Sequence, residues 1–326
     1  MRTELSLLAA AAVIAVGGFL SPDWLSFLLT LAFAKALVVL GVVLQMRLGL
    51  VTFGQALFYC VGGYAAGLAM QHLGVNDAFA LLAIGVAVAV AFSAVFGLLM
   101  ARYRDIFFAM LTMALSMVLF GVLVKSSALG STDGFNVSMP TYLGWAPSPD
   151  TAKRVVFLLT VGVSAAAAIV FHRLMKSSLG LISEAIRENE VRVEYLGVSP
   201  HSVIHANYVF AAAISALGGG LTALATGHID PDMAVWTTSG EFVFIAILGG
   251  TGHVAAAFIA AFVFAAVRTF AIQEAPHTWQ MMLGSVLLIL VIFLPKGLWS
   301  LVGKRRKAGA EPAVETNASN TAKVKA

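Results

Sequence analysis

Charged side chains are scarce in this chain. Lys, Arg, Asp and Glu make up 11% of its 326 residues, whereas soluble domains carry roughly 25%. Hydrophobic residues make up 60%, which is more apolar surface than one soluble core can bury. A water-soluble globular fold is therefore excluded. The 20 Lys and Arg residues collect at a few junctions between apolar runs, so they do not form a nucleic-acid-binding patch.

Cysteine is almost absent as well. The single residue, Cys60, lies in the apolar run 57–64, so a disulfide framework is excluded and a buried small hydrophobe is expected. His201 and His205 have a helical spacing but no third ligand nearby, so no metal site is expected. The sequence also lacks a Gly-x-x-x-x-Gly-Lys-Ser/Thr phosphate loop and a nucleophile beside a base at membrane depth. Neither ATP hydrolysis nor any other catalytic site is therefore expected in this chain.

Long apolar runs are what the sequence contains instead. A helix needs roughly 20 residues to cross the hydrocarbon core of a bilayer. Apolar runs bounded by turn residues and charges predict helical segments at 5–20, 25–46, 53–71, 78–101, 106–125, 153–174, 203–226, 240–249, 252–272 and 279–301. The sequence thus predicts an all-α polytopic membrane protein with about ten transmembrane or re-entrant helices.

Two of these segments leave alternatives open. The first could be a cleaved signal peptide, but Glu4 is unusual in such a leader and 21–23 indicates a turn, which favours a retained first helix. Segment 240–249 is too short to cross alone. Gly249–Gly252 indicates a broken or re-entrant pair, and the helix count over 240–272 stays open.

Basic residues fall on one side of the membrane if the segments alternate. That side holds Arg47, Arg102, Arg104, the cations of 172–200 and Lys304–Lys307. Positively charged loops indicate the cytoplasm, so both termini are expected there. The chain is expected to divide into a transmembrane domain over 1–303 and a basic, disordered tail over 304–326, which would anchor to anionic lipid headgroups.

One internal segment, 172–200, is polar enough to lie in water. Ser183 followed by Glu184 indicates a helix start, and Gly197 indicates its end. Such a helix is either a connector that lies on the bilayer or a docking element. Its balanced charge favours docking onto another protein, because interfacial helices favour Lys and Arg. The apolar residues that fall near one helix face are Ile182, Ala185, Ile186, Val193 and Leu196.

The same segment resembles a known family. Ser178–Gly180, Glu184–Arg192 and Tyr195–Val198 resemble, in order, the cytoplasmic coupling loop of LivM-type permeases of branched-chain amino acid ABC importers. The chain departs from that pattern at Thr52–Gln55, where Ser-Leu-Gly-His is usual, so a neutral amide replaces an imidazole and the exact solute is left open. Further segments that resemble the family in the same order are Gly49–Phe58, Ile106–Thr112, Ser131–Gly134, Leu248–Gly252 and Phe293–Trp299.

The resemblance implies a type II ABC importer permease in the bacterial inner membrane, which carries branched-chain amino acids or related small polar or amide solutes. The implied partners are two cytoplasmic ATPases, which would bind ATP and Mg, a second LivH-like permease and a periplasmic substrate-binding protein. The chain itself would bind no cofactor, and a homomeric or heteromeric permease pair stays open. The residues implied to couple to the ATPase are Ser183, Glu184, Ile186, Arg187, Glu188, Asn189, Glu190, Arg192, Leu196 and Gly197.

A solute route is expected where the backbone is irregular and polar groups face a cavity. The Gly-rich breaks at 49–54 and 249–252 fit this description, and helix packing through small residues is the alternative. Lys35 lies within an apolar span, where a charge is costly unless it faces water or a partner. Glu241 and Arg268 lie nearer span ends, where snorkelling to the interface is expected. The candidate pathway residues are Lys35, Thr52, Gln55, Tyr59, Thr251 and His253.

Two questions remain at this level. Asp133, in the external Ser-Thr-Asp-Gly, is either a turn residue or a contact for the binding protein.

The main rival function is an ion-coupled secondary transporter without an ATPase. Such a carrier would need an intramembrane ion or proton site, and a lone Lys35 without an intramembrane Asp is weak evidence for one.

Overall fold

The chain folds almost entirely into helices. The computed structural model describes residues 2–274, 276, 278–293 and 297–299, so the predicted tail over 304–326 lies outside the described residues. Two short strands, β1 Phe135–Asn136 and β2 His228–Ile229, pair antiparallel. The α-helices are α1 Arg2–Leu20, α2 Asp23–Arg47, α3 Gln55–Leu73, α4 Ala78–Met100, α5 Asp105–Lys125, α6 Pro149–Lys176, α7 Ser178–Tyr195, α8 Pro200–Thr226, α9 Trp236–Gly249, α10 Val254–Glu274 and α11 Trp279–Phe293.

Within the described residues, each predicted apolar segment overlaps a helix, and the end of segment 279–301 lies partly outside them. Among the described residues, six helices are long and apolar enough to cross a membrane, namely α2, α4, α5, α6, α8 and α10. Two more, α1 and α9, are apolar but shorter. The structure thus confirms a mostly helical, multi-pass membrane protein.

Local signals in the sequence set several helix ends. Pro149 and Pro200 occupy the first turns of α6 and α8, where a missing N–H costs nothing. The Asp77 carboxylate accepts from the N–H groups of Phe79 and Ala80, at 3.0 and 3.2 Å, and so caps α4. These caps satisfy backbone groups that would otherwise be left without partners at the helix ends.

The centre of the array is the antiparallel pair α2 and α8. Glycines allow the two backbones to approach closely. A Cβ on Gly218 of α8 would lie 2.5 Å from the Ala34 carbonyl oxygen, and a Cβ on Gly41 of α2 would lie 2.8 Å from Ser215 Oγ. These contacts fix the register of the pair, and α3, α4, α6 and α10 pack around it.

α3 begins inside the array rather than at its surface. The loop after α2 turns back into the protein, and Gln55, the first residue of α3, lies beside Gly41. Gly41 precedes the end of α2 at Arg47 by six residues, so the start of α3 lies about 9 Å inside that end.

α9 also begins at depth. In the 3-10 turn Pro231–Ala234 before it, Pro231, Met233 and Ala234 are buried, and the Ala234 carbonyl accepts from Ser116 Oγ in the middle of α5 at 2.7 Å. The break predicted at Gly249–Gly252 is confirmed, because α9 ends at Gly249 and α10 begins at Val254. The 3-10 turn before α9 is a second irregular stretch, which the sequence does not predict. There the Asp230 carboxylate accepts from Met233 N at 3.2 Å and stabilises the turn.

The loops fall on two sides that differ in charge. We call the side that holds Arg47, Arg104 and α7 the basic side. The N-terminal end of α1 is also there, because Glu4 pairs with Arg173 at 2.9 Å. The opposite side carries β1, β2 and the loop over 126–148.

Candidate functional site

α7 is held on the basic side by ion pairs from two transmembrane helix ends. Arg47, the last residue of α2, pairs with Glu184. Arg104, just before α5, donates from Nε and Nη2 to the two carboxylate oxygens of Glu190, at 2.9 and 2.6 Å. These hydrogen bonds from Arg104 hold the pKa of Glu190 below its usual range. A bidentate pair fixes direction as well as position, so the second half of α7 is held in one orientation relative to the start of α5.

A third attachment joins α7 to α8 through Ser183. Asn207 Nδ2 donates to Ser183 Oγ at 3.0 Å, and Ser183 Oγ donates to the Leu179 carbonyl at 2.7 Å. The prediction that the helix starts at Ser183 is therefore wrong, since α7 begins at Ser178. The Ser183 hydroxyl has its hydrogen-bond partners in the Leu179 carbonyl of α7 and the Asn207 amide of α8, so it does not cap a helix end.

The second half of α7 changes direction and then ends as predicted. Asn189 leaves the helical conformation, and its side-chain oxygen accepts from the N–H of Arg192 at 2.9 Å, which caps the last segment. Gly197 has φ +82°, its N–H donates to the Glu194 carbonyl at 2.9 Å, and Val198 N–H donates to the Val193 carbonyl at 3.4 Å. This pattern is a Schellman motif, which confirms Gly197 as the helix stop.

The candidate coupling residues divide between two faces of α7. Ser183 and Ile186 are buried against the transmembrane helices, and Glu190 is half-buried at Arg104. The predicted apolar face is wrong at its margins, because Ala185 is exposed and Leu196 is 78% exposed. The candidates that the fold leaves exposed are Glu184, Arg187, Glu188, Asn189, Arg192, Leu196 and Gly197.

The starts of α3 and α9 meet in the interior. Ser239, in the first turn of α9, accepts at Oγ from the Ala56 N–H at 3.0 Å. Gln55 Oε1 accepts from Ser215 Oγ of α8 at 2.8 Å. Tyr59, one turn further along α3, is buried with its ring 5.4 Å from that of Phe242 of α9. The fold thus brings the candidates Gln55 and Tyr59 together where two helices begin at depth.

Thr52 belongs to the same region. Its side chain is buried and accepts from the Gly54 N–H at 3.1 Å. The preceding N–H along the chain, that of Phe53, donates to Thr112 Oγ1 of α5 at 3.3 Å. The loop before α3 is thus held by two threonine hydroxyls, which satisfy backbone groups away from the surface.

Several amide atoms near this meeting point are buried and have no hydrogen-bond partner in the described part of the chain. They are Gln55 Nε2, both side-chain polar atoms of Gln45, and Asn207 Oδ1. The α2–α8 register sets Gln45, one turn beyond Gly41, opposite Asn207, which itself bonds Ser183 of α7. A series of buried polar side chains therefore extends from Gln55 at the start of α3, through Gln45 and Asn207, to Ser183 of α7. Buried polar groups normally have hydrogen-bond partners.

Thr251 and His253 lie elsewhere, on the basic side. The Thr251 carbonyl accepts from Arg47 Nη1 at 3.2 Å. The His253 ring stacks on Trp299, with centroids 4.2 Å apart and planes 5° apart. Burial, and next the neighbouring His172 and Lys176, lower the pKa of His253. The fold therefore separates these two candidates from Gln55, and their assignment to a solute route stays a prediction.

Lys35 forms part of an ion triad at membrane depth. Lys35 Nζ lies 3.2 Å from Glu241 Oε2, and Arg268 Nη1 lies 3.1 Å from the same oxygen. The expectation that Glu241 and Arg268 snorkel separately to the membrane surface is wrong, because α9 and α10 bring both to Lys35. Each charge would cost about 3 kcal/mol alone at the centre of a helix in a bilayer, which pairing reduces.

Asp133 is exposed in the loop on the opposite side. Its Oδ1 accepts from Thr132 Oγ1 at 3.3 Å. The loop is fixed beside it, because Gly134 with φ +66° packs on the backbone of Ile229 and β1 follows directly. Contact with a binding protein stays a prediction for Asp133.

The residues that sequence reasoning missed are mostly the partners of those it found. Arg47 and Arg104 were recognised only as markers of orientation, and Asn207, Ser215 and Ser239 were not singled out. Charged residues in an apolar chain need counter-ions, so Lys35 was the signal that could have led to Glu241 and Arg268. Among the described residues, no group of three or more His, Cys, Asp or Glu side chains could hold a metal ion.

Known proteins are similar to this chain in sequence. The family described as "Branched-chain amino acid transport system / permease component" matches residues 24–292. The high-affinity branched-chain amino acid transport system permease protein LivM of Escherichia coli (strain K12) is 25% identical over 272 residues, which cover 77% of this chain and 64% of that protein. The protein of the same name from Salmonella typhimurium (strain LT2) gives the same identity and coverage.

The chain thus spans somewhat less than two thirds of the length of these curated relatives. No solved structure matches it. The family match includes the helices from α2 to α10 and so covers the attachments of α7, the starts of α3 and α9, and the ion triad. The chain therefore belongs to the permease component family of branched-chain amino acid transport systems.

Proposed function

We propose that this chain is the membrane-spanning permease subunit of an ATP-driven importer for branched-chain amino acids or related small polar or amide solutes. The observation that carries the proposal is α7, a helix fixed to the transmembrane domain on one face and charged on the other. Glu184 and Glu190 tie it to α2 and α5, whereas Glu188 and Arg192 are exposed. When a partner displaces a helix attached in this way, the transmembrane helices bound to it move as well. A loosely attached connector would not move them.

In this proposal α7 lies in a groove of a cytoplasmic ATPase. Two such ATPases bind and hydrolyse ATP with Mg, and their closure moves α7 and the helices attached to it. A second, LivH-like permease completes the membrane domain, which has the type II importer architecture with about ten transmembrane or re-entrant segments. The exposed charges of both signs on α7 support a protein partner rather than a lipid surface.

The orientation follows from the positive-inside rule. The basic side is the cytoplasmic face of a bacterial inner membrane, and both termini lie there. The opposite side is periplasmic and receives the substrate-binding protein, with Asp133 among the contacts. The route for the solute passes the starts of α3 and α9, where Thr52, Gln55 and Tyr59 lie, and Thr251 and His253 lie near its cytoplasmic exit.

Two measurements test the proposal. The tagged chain, expressed with its neighbours, should co-purify with an ATPase and a second permease and should import leucine in an ATP-dependent manner. The exchange Glu188→Arg with Arg192→Glu keeps the net charge and touches no ion pair seen in the described residues. We expect it to reduce the recovered ATPase and leucine uptake at least about tenfold while the membrane level of the chain is unchanged, because charge complementarity at the interface is reversed.

The matched control is a charge exchange on the opposite side, Lys125→Glu with Asp232→Lys, where both side chains are exposed. It should leave ATPase recovery unchanged. Full ATPase recovery and uptake in the α7 exchange would contradict the coupling role. Solute uptake by the chain alone, without ATP, would indicate a secondary transporter instead.

A further inference from the structure

A groove follows the contact between α4 and α8 on the outside of the helix array. Its volume is about 670 Å³, within the range of roughly 300–1,000 Å³ that is typical of ligand sites. Leu98 of α4 and Ala206 of α8 line it and are exposed. The two helices pack closely beside it, because His205 Nε2 lies 3.1 Å from the Ala94 carbonyl oxygen. The groove is therefore a feature of a packed helix pair, which holds the residues that line it in place.

The groove is apolar over about the length of one membrane leaflet. On α4 it is lined by Val90, Ala94 and Leu98, which repeat every four residues and so share one helix face. Arg102, in the turn that closes α4, continues this row and is exposed. It follows Val90 by 12 residues, which is about 18 Å along a helix. One leaflet of a hydrocarbon core roughly 30 Å thick measures about 15 Å. A lipid chain along this row would therefore have its headgroup near Arg102.

The basic end of the groove carries hydrogen-bond donors. His201 and Ser202, in the first turn of α8, line the groove there and are exposed. A guanidinium, an imidazole N–H and a hydroxyl can all donate to phosphate oxygens. A guanidinium also matches phosphate geometry with two parallel N–H donors. The groove is thus apolar at membrane depth and ends in phosphate-binding groups at the membrane surface.

Arg102 differs from several other arginines of the basic side. Those whose carboxylate partners lie within the chain are Arg47, Arg104 and Arg173. Arg102 forms no ion pair with a carboxylate in the part of the chain that the structure describes. Glu190 does not neutralise it, because Arg104 holds both carboxylate oxygens of Glu190. An exposed cation at headgroup level attracts anionic lipid.

We propose that this groove binds one anionic phospholipid from the leaflet on the basic side. An acyl chain lies along the row of α4 and against α8, and the phosphate contacts Arg102, His201 and Ser202. The charge at Arg102 selects an anionic headgroup over a zwitterionic one, because only the anionic lipid leaves the site with a neutral sum of charges. This site goes beyond the proposed function and does not depend on which solute is carried.

A fluorophore in the groove tests which lipid lies there. The chain has a single natural cysteine, the buried Cys60, so Cys60→Ala with Ala206→Cys gives one position for a bimane label. Residue 206 is six residues into α8, about 9 Å from its basic end. The labelled full chain is placed in vesicles of phosphatidylcholine and phosphatidylglycerol, of which one carries a quenching nitroxide on its acyl chain. Quenching against lipid composition gives the relative binding constant of the two lipids at residue 206.

The expected result is a preference for phosphatidylglycerol of at least about fivefold, because one arginine near the membrane surface attracts anionic lipid by about that factor. Arg102→Gln should bring the ratio close to one. Arg102→Lys should keep most of the preference, because an ammonium also binds phosphate, and so shows that the glutamine variant does not act through misfolding. Equal quenching by both lipids at residue 206, or a preference that Arg102→Gln leaves unchanged, would overturn the proposal.

The matched control is Val95→Cys in the same Cys60→Ala background. Val95 is 67% exposed, lies outside the groove lining, and is five residues from the end of α4, about 8 Å in depth. A label there should show no preference for phosphatidylglycerol. A preference equal to that at residue 206 would contradict the site, because it would show a general attraction of anionic lipid to the whole basic side.

The rival occupant is a helix of another subunit. The chain labelled at residue 206 is therefore assembled with its partners before it is placed in the same vesicles. Quenching by phosphatidylglycerol should persist after assembly. Loss of quenching on assembly would overturn the lipid site and indicate that the second permease covers the groove. Neither outcome depends on leucine uptake, so failure of the proposed import is measured separately.

Discussion

At the scale of single residues, the pair Arg104–Glu190 shows how a polar contact fixes α7 to a membrane helix. Two hydrogen bonds of 2.9 and 2.6 Å join the guanidinium to both carboxylate oxygens. Both side chains are about one third exposed, so solvent screens part of the attraction. The Arg104–Glu190 pair sets the orientation of α7 relative to α5 more than it stabilises the fold, because a bidentate pair permits one relative orientation of the two groups.

The same pair makes the attachment of α7 dependent on pH. The hydrogen bonds from Arg104 lower the pKa of Glu190. A lowered folded-state pKa contributes stability that is present above the unfolded pKa and is lost as the pH falls through the folded pKa. We expect Glu190→Gln to lower the melting temperature of the purified complex at pH 7, by the equivalent of about 1 kcal/mol. The difference from the natural chain should begin to shrink as the pH falls below about 4.3, the unfolded pKa of a glutamate, and should vanish only below the lowered folded pKa of Glu190.

Thermal unfolding of the two proteins from pH 7 down to well below about pH 4 measures this effect. Glu188→Gln serves as the control, because Glu188 is exposed and forms no ion pair within the described residues. The control should differ little from the natural chain at either pH. A loss of stability in Glu190→Gln that does not change with pH would show that Arg104 does not act through the ionised carboxylate.

At the scale of elements, α7 is two helical segments joined at Asn189 and closed at Gly197. The first segment carries the contact with Asn207 of α8, and the second carries Glu190 and the exposed end at Tyr195 and Leu196. Each segment is therefore anchored separately. The second segment contacts Arg104 beside α5 through Glu190, and the first contacts α8 through Ser183.

The closing turn gives a prediction for the element. Gly197 has φ +82°, a conformation that a residue with a Cβ adopts only at a cost. We expect Gly197→Ala to destabilise this turn by about 1 kcal/mol. Faster amide hydrogen exchange over residues 193–198 should report the loss, together with weaker recovery of the ATPase.

The matched control for this change is Gly162→Ala in α6, where an added Cβ would meet nothing within 4 Å. In a helix interior this exchange should be neutral or slightly stabilising, by about 0.5 kcal/mol. Equal exchange rates in both variants would contradict the role of the left-handed glycine.

At the scale of the whole molecule, charge separates the two sides of the array. Arg47, Arg104 and Arg173 lie on the basic side with α7, although they come from different loops. Asp77 and Asp133 lie in loops on the opposite side. This asymmetry follows from the alternation of spans along the chain and is independent of the details of packing.

The asymmetry predicts which residues an impermeant reagent can reach. In a Cys60→Ala background, Asp133→Cys should react with an impermeant maleimide in intact cells, because the proposed orientation places its loop in the periplasm. Glu188→Cys should react only after the inner membrane is permeabilised. The two variants control for each other, and reaction of both in intact cells, or the reverse pattern, would contradict the orientation.

The sequence by itself determined the membrane class, the positions of most helices, the charge asymmetry and the amphipathic α7 with its stop at Gly197. These features depend on hydropathy, charge and backbone preference within short stretches of the sequence, so residues that are neighbours along the chain are sufficient to predict them. The family resemblance was likewise confirmed, because its segments are continuous in the sequence.

Only the tertiary structure decided which polar residues meet. Lys35 and Glu241 are 206 positions apart, and their contact depends on how α2, α9 and α10 pack. Packing also decides three other outcomes, namely that Ser183 is buried, that Gln55 contacts Ser215, and that Thr251 lies away from Gln55 and Ser215. These outcomes follow from the α2–α8 register and from the depth at which α3 and α9 begin. Local pattern places a residue on a helix, but the packing of several helices decides what that residue faces, since glycine contacts and buried ion pairs act between distant segments.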